Sequence, residues 1–125
     1  MFTHRMSARL KPRPYRDPLL SLHVATSGRV TVVVVRGEVD MSNAHLLTDL
    51  AGCLLCDHPP RLVLDLAKVT FFGAAGINAL LRIQQAATAD AVDLVLCDPS
   101  RITVRVLTAT GDIDRFRSHT TTTTA

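Results

Sequence analysis

Tryptophan is absent from this 125-residue chain, and one Tyr and four Phe are its only aromatic residues. A stacking platform for single-stranded nucleic acid needs several exposed aromatics, so that class of surface is excluded. The core must come from Val, Leu, Ile and Ala, which suit the layered packing of an α/β domain. Long hydrophobic runs are also missing. The run Val30 to Val35 has the length of a strand, far short of the roughly 20 apolar residues that span a bilayer. The N-terminal stretch has neither the apolar segment nor the cleavage site of a secretory signal, and the expected location is cytoplasmic.

Cysteine is sparse and odd in number. Cys53, Cys56 and Cys97 make no disulfide framework. Cys53 and Cys56 have the spacing of a redox pair or a zinc half-site, but no second Cys or His pair completes a metal set. They read as small buried or half-buried hydrophobes within a helical pattern, with a thiol switch as the alternative. The histidines at 4, 23, 45, 58 and 119 show no ligand spacing on any one helix. Neither a metal nor a cofactor is expected.

What charge there is lies unevenly. Residues 1–17 hold Arg5, Arg9, Lys11, Arg13 and Arg16 against Asp17 alone, which leaves 9 basic and 10 acidic residues in 18–125. The formal charge of +3 therefore belongs to the leader, and the remainder is close to neutral. A short basic leader with Pro12 and Pro14 has too little apolar surface to order itself, so residues 1–17 are read as a disordered arm. Residues 118–125, rich in threonine, are read as a fraying tail. One domain is expected over 18–117. Its near-neutral charge argues against nucleic acid as a partner.

Leu19 to Ala25 and Arg29 to Arg36 are β-rich runs separated by Thr26-Ser27-Gly28, the signature of a hairpin. After Gly37-Glu38-Val39-Asp40, Ser42 can cap a helix in which Leu47, Leu50, Ala51 and Leu54 share one face, and Pro59 and Pro60 stop it. Arg61 to Leu66 and Val92 to Cys97 read as central strands buried on both sides. Between them a second helix starts near Ala74 and runs to about Thr88. The segment after Cys97 has strand-like and helix-like spacing at once. Asp98 as N-cap, Pro99 at the first helical position and Gly111 just past the end decide for a helix. Phe116 is expected to dock a last short element. The order β-β-α-β-α-β-α calls for a mixed sheet of four to five strands, with an antiparallel opening pair, parallel crossovers and helices packed on it.

The loop Gly73-Ala74-Ala75-Gly76 stands at the mouth of the second helix. Helix N-termini favour anions, yet no lysine follows as in a P-loop, and a tight strand-to-helix turn accounts for the glycines equally. The loop carries no nucleophile or base, and Glu38, Asp40 and Asp65 have no obvious acid–base partner in sequence. The chain reads as a binding protein and not an enzyme.

Several segments, in order, resemble the anti-sigma-factor antagonist family, whose module is the STAS domain. Gly37-Glu38-Val39-Asp40 resembles the family's Gly-Glu-Leu-Asp turn. Arg61 to Phe71 resembles its central strand and the lead into its regulatory loop, and Asp98-Pro99-Ser100 with Val106 to Phe116 its C-terminal helix and exit. The resemblance covers roughly residues 18–117. It implies a single α/β domain of STAS type that binds an anti-sigma factor, usually a serine kinase, and so regulates sigma-factor-dependent transcription. In the family the loop before the second helix reads Asp-Ser-Ser-Gly, and the kinase phosphorylates the second Ser. Here the four positions are Gly73, Ala74, Ala75 and Gly76, with Ala75 in the acceptor's place.

A methyl group cannot receive the roughly −1.5 to −2 charges that phosphorylation adds, so no phosphorylation site is expected in the loop. Either the domain stays in the binding-competent form, or it has lost that partner and serves another. The residues expected to meet the partner are Asp40, Ser42, Gly73, Ala74, Ala75, Gly76 and Asn78. Asp40 can equally cap the first helix, and Ser42, Thr70 and Asn78 have simple structural roles as well. The alternative function is a STAS-like scaffold or sensor that binds a small ligand or self-associates as a homodimer, with no anti-sigma partner.

Overall fold

The computed structural model describes residues 17–119. The chain opens with an antiparallel hairpin of β1 (Leu20–Ser27) and β2 (Val30–Val39), turned by Gly28 and Arg29. It continues through α1 (Ala44–Leu55), β3 (Arg61–Phe72), α2 (Ala74–Ala89), β4 (Asp93–Cys97) and α3 (Arg101–Thr110). A 3₁₀ turn at Ile113–Arg115 leads into β5 (Arg117–His119). The five strands lie in chain order, β1-β2-β3-β4-β5, and every pair after the first is parallel. This is the expected mixed sheet. Right-handed crossovers that always advance the same way across a sheet place their helices on one face.

The core lies between that face and the helices. Register sets Leu22 opposite Val35, Val33 opposite Leu64, and Leu64 opposite Leu96. Val33, Val35, Leu64 and Leu96 are fully buried, against Leu47, Leu50, Ala51 and Leu54 of α1 and Ile77, Leu80 and Ile83 of α2. The four apolar positions read from the α1 sequence all lie in its buried face, which also takes in Ala44, Leu46 and Leu55. Each buried Leu or Val contributes roughly 1.5–3 kcal/mol relative to exposure. From α3, Thr103 and Leu107 reach the same core, and Phe116 docks against it as expected.

Four local expectations are corrected. β3 runs six residues past Leu66, because β2 stays alongside it to Val39 and two register shifts absorb the extra residues of β3. Ser42 does not cap α1, since Asp40 holds its hydroxyl and N–H. Asn43 occupies the cap position instead. Asp98 does not cap α3 either: its φ is +46°, and Ser100 is the cap, with Oγ accepting from the Thr103 N–H. Gly111 ends α3 in the left-handed conformation, as its position implied. Finally, Ser118 and His119, assigned to the tail, pair with β4 as part of β5. Residues 1–16 and 120–125, which hold nearly all of the expected arm and tail, lie outside the described residues.

Candidate functional site

The C-terminal ends of β2 and β3 are neighbours, with Val39 opposite Phe72, and each leads straight into a helix. Side chains on two adjacent strand-to-helix loops of a parallel pair converge at the sheet edge, a common place for binding sites. Here the two loops are the Asp40–Asn43 turn and Gly73–Gly76. A backbone bond from the Gly73 N–H to the Val39 carbonyl, 3.1 Å, ties them together.

The first loop is organised by Asp40 and Asn43. The Asp40 carboxylate accepts from the Ser42 hydroxyl at 2.6 Å and from the Ser42 N–H at 2.9 Å. These two bonds, the hydroxyl's foremost, hold the Asp40 pKa below its ordinary value. The ionised turn is therefore the stable one, and its contribution is lost as the pH falls through that lowered pKa. Asn43 is fully buried. Its Oδ1 accepts from the Asp40 N–H at 2.9 Å and its Nδ2 donates to the Glu38 carbonyl at 3.0 Å, with a longer contact to Asp17 at 3.4 Å. Asn43→Ala leaves the half-buried Asp40 N–H and Glu38 carbonyl without this partner, so a loss of about 1–2 kcal/mol is expected in urea denaturation. A loss below about 0.5 kcal/mol would mean that water replaces both bonds.

The second loop has no such network. Gly73 is the N-cap of α2, no side chain caps the helix and no acidic residue lies in its first turn. Ala74 is exposed and Ala75 half-buried, while Gly76 is buried under Phe72, whose ring lies 3.0 Å from where a Gly76 Cβ would stand. Beside the loop the helices leave a groove of about 190 Å³, lined by Ala44, His45 and Thr48 of α1 and by Ala75, Asn78, Ala79 and Arg82 of α2. Ala44 of α1 and Ala75 and Ala79 of α2 contribute the apolar part of its lining. His45 and Arg82 stand at the exposed rim.

The seven residues expected from sequence thus fall at one end of the molecule. Asp40 and Ser42 form the first loop, Gly73 to Gly76 the second, and Asn78 the groove wall. Sequence reasoning missed Asn43, His45, Thr48 and Arg82. The i, i+4 recurrence of Ala44 with Thr48 and of Ala75 with Ala79 was legible as a small-residue seam, but not which helix it would face. Met41 and Phe71 flank the loops and are 86% and 47% exposed, so two of the few large apolar side chains left in solvent border this site.

Among the described residues, no group of His, Cys, Asp and Glu is arranged to hold a metal ion. The three cysteines are thiols, and Cys97 lies away from the loops on β4. Burial first, then the Asp98 and Asp65 carboxylates, push the Cys97 pKa up, which keeps it protonated and a poor nucleophile at neutral pH. No helix among the described residues is long and apolar enough to cross a membrane.

Residues 21–125 match the STAS domain family. The chain belongs to that family. A stretch of 61 residues of this STAS domain is 34% identical to the anti-sigma-F factor antagonist RsfB of Mycobacterium tuberculosis. The match takes in 49% of the chain and spans about half the length of the curated relative, 50%. Among solved structures, an anti-sigma factor antagonist from Mycobacterium paratuberculosis superposes with a TM-score of 0.73 and 28% identity, over 86% of this chain and 88% of the other. The phosphorylated form of the Bacillus cell fate determinant SpoIIAA shares the fold, with a TM-score of 0.62 and 14% identity over 78% and 90% of the two chains. Membership of the family is in keeping with a binding module and not an enzyme.

Proposed function

We propose that this STAS domain is an anti-sigma-factor antagonist that binds an anti-sigma factor of the serine-kinase type, regulates sigma-factor-dependent transcription, and escapes control by phosphorylation at the usual loop. The observation that carries the reading is Ala75. It sits in the first turn of α2, half-buried on the wall of the α1–α2 groove, and presents a methyl group where the family's loop presents a hydroxyl. The names of RsfB and of the M. paratuberculosis protein support the anti-sigma partner. The partner would meet an apolar floor at Ala44, Ala75 and Ala79, the exposed Met41 and Phe71, and a polar rim of Ser42, Asn78 and Arg82. An apolar centre with a polar rim is the usual anatomy of a protein interface.

The test is a complex formed with the cognate anti-sigma kinase and then given ATP. The wild-type complex is expected to persist, with the peptide containing Ala75 unmodified by mass spectrometry. In Ala75→Ser the same peptide is expected to gain one phosphate as the complex dissociates. Stoichiometric phosphate elsewhere in the wild-type domain would overturn the insensitivity, and failure to bind any cognate anti-sigma factor would overturn the partner.

A further inference from the structure

Among the described residues no helix covers the sheet face away from the core, the open face, and its side chains form ordered rows. Register aligns Ala25, Val32, Val63 and Val95 side by side across four strands. One row towards the strands' N-terminal ends lie Val30, Arg61 and Asp93, and one row the other way lie Val34, Asp65 and Cys97. Among the described residues none of these valines joins the core cluster: Val30, Val32, Val34 and Val63 are half-buried, and Val95, next to β5, is buried. On the central strand β3 the open side therefore reads Arg61, Val63, Asp65: a cation and an anion placed symmetrically about an apolar residue. Arg61 Nε reaches Asp93 at 2.9 Å, with its side chain still 47% exposed. Asp65 accepts from the Ala67 N–H, and no lysine or arginine pairs with it among the described residues.

That pattern complements itself. We propose that the open face is an interface between two copies of the chain, related by a two-fold axis running across the strands at Val63. Such an axis reverses strand direction between the sheets. Val63 then meets the partner's Val63, and Arg61 meets the partner's Asp65, twice. Two sheets packed in this way lie about 10 Å apart, the spacing of an ordinary β-sandwich. The basic arm of residues 1–16, with five Arg or Lys and no acidic residue, is the poorer occupant. The face carries Arg61, Arg36 and Lys68 against Asp65 and Asp93, a net positive charge that disfavours a basic segment. The three rows span roughly 20 by 20 Å, or about 400 Å² on each copy, which places the dimer at the weak end of specific interfaces. The Gly73–Gly76 loop and the α1–α2 groove stay open in such a dimer, because the helices are on the other side. The inference is independent of the partner proposed above.

Sedimentation velocity of the full chain from about 5 to 500 µM, a range that brackets the affinity of so small an interface, tests it. A monomer–dimer equilibrium is expected for the wild type. Arg61→Asp makes the face acidic and Asp65→Arg makes it basic, so each alone is expected to dimerise at least about tenfold more weakly. Mixing the two variants restores the dimer, since each now carries the other's complement. Circular dichroism and thermal melting establish that both are folded, and if either is not, Val63→Lys, which sets two ammonium groups on the axis, replaces it and abolishes the dimer. Deleting residues 2–16 leaves dimerisation unchanged. A wild type that stays monomeric throughout, single variants that dimerise as well as the wild type, a mixture that does not recover, or a gain of dimer on deleting the arm each overturns the proposal.

Discussion

Ala75→Glu is expected to weaken binding to the anti-sigma factor by about 100-fold while leaving the melting temperature unchanged or slightly raised. Ala75 lines the groove, so a carboxylate there must be desolvated when a partner covers it, and an unpaired charge buried at an interface costs about 2–5 kcal/mol. In the unbound domain the same carboxylate lies in the first turn of α2, which has no acidic residue of its own. The helix macrodipole stabilises a negative charge there by about 0.3–1 kcal/mol. The two effects have opposite signs, which separates loss of binding from loss of fold. Titration calorimetry against the anti-sigma factor measures the first and a thermal melt the second. Unchanged affinity would place the loop outside the interface.

The largest effect on stability is expected at Gly37, from β2. Its φ of +106° is a conformation that other residues rarely adopt, and a Cβ built there would lie 2.1 Å from the Leu19 carbonyl oxygen. That carbonyl accepts from the Glu38 N–H and anchors the start of the hairpin, so it has little room to move. Gly37→Ala therefore combines backbone strain with a backbone clash. A loss of about 3–4 kcal/mol, or roughly 15 °C in melting temperature, is expected in denaturant and thermal unfolding. Gly111→Ala is the control. Gly111 also has positive φ, +79°, but nothing lies within 4 Å of where its Cβ would stand, so only the conformational cost of about 1 kcal/mol applies. Equal losses at the two positions would show that the Leu19 contact relaxes.

Much of the fold was legible because local chemistry and global packing agree. The hairpin turn, the apolar stripe of α1, the start of α2 at Ala74 and the stop of α3 at Gly111 each rest on short-range rules that the tertiary structure does not contest. The misread positions are those where a neighbour claims a side chain. Ser42 has the composition of a helix cap, but Asp40 lies two residues away and takes both of its donors. Asp98 likewise looks like a cap, but the chain turns there with positive φ and leaves the role to Ser100. Lys68 is exposed and lies past the run read as the central strand, yet β3 continues through it, because β2 lies alongside and sets Arg36 opposite Lys68, with Ala67 and Thr70 taken up by the two register shifts.

The site divides in the same way. The sequence alone determined that the Gly73–Gly76 loop carries no hydroxyl and no charge, since residue identity needs no coordinates, and the helix behind it followed from the periodicity of Ile77, Leu80 and Ile83. Only the tertiary structure decided what this loop stands beside. Pairing of Val39 with Phe72 brings the Asp40 turn next to it, 33 residues earlier in the chain at Asp40 against Gly73. Packing of Ala44 against the Ala75 and Ala79 seam opens the groove. The open face was equally hidden, because Val32, Val34 and Val63 read as buried-strand residues on any local criterion. Which side of a strand is covered depends on where the crossovers lead, and a one-dimensional pattern does not carry that information.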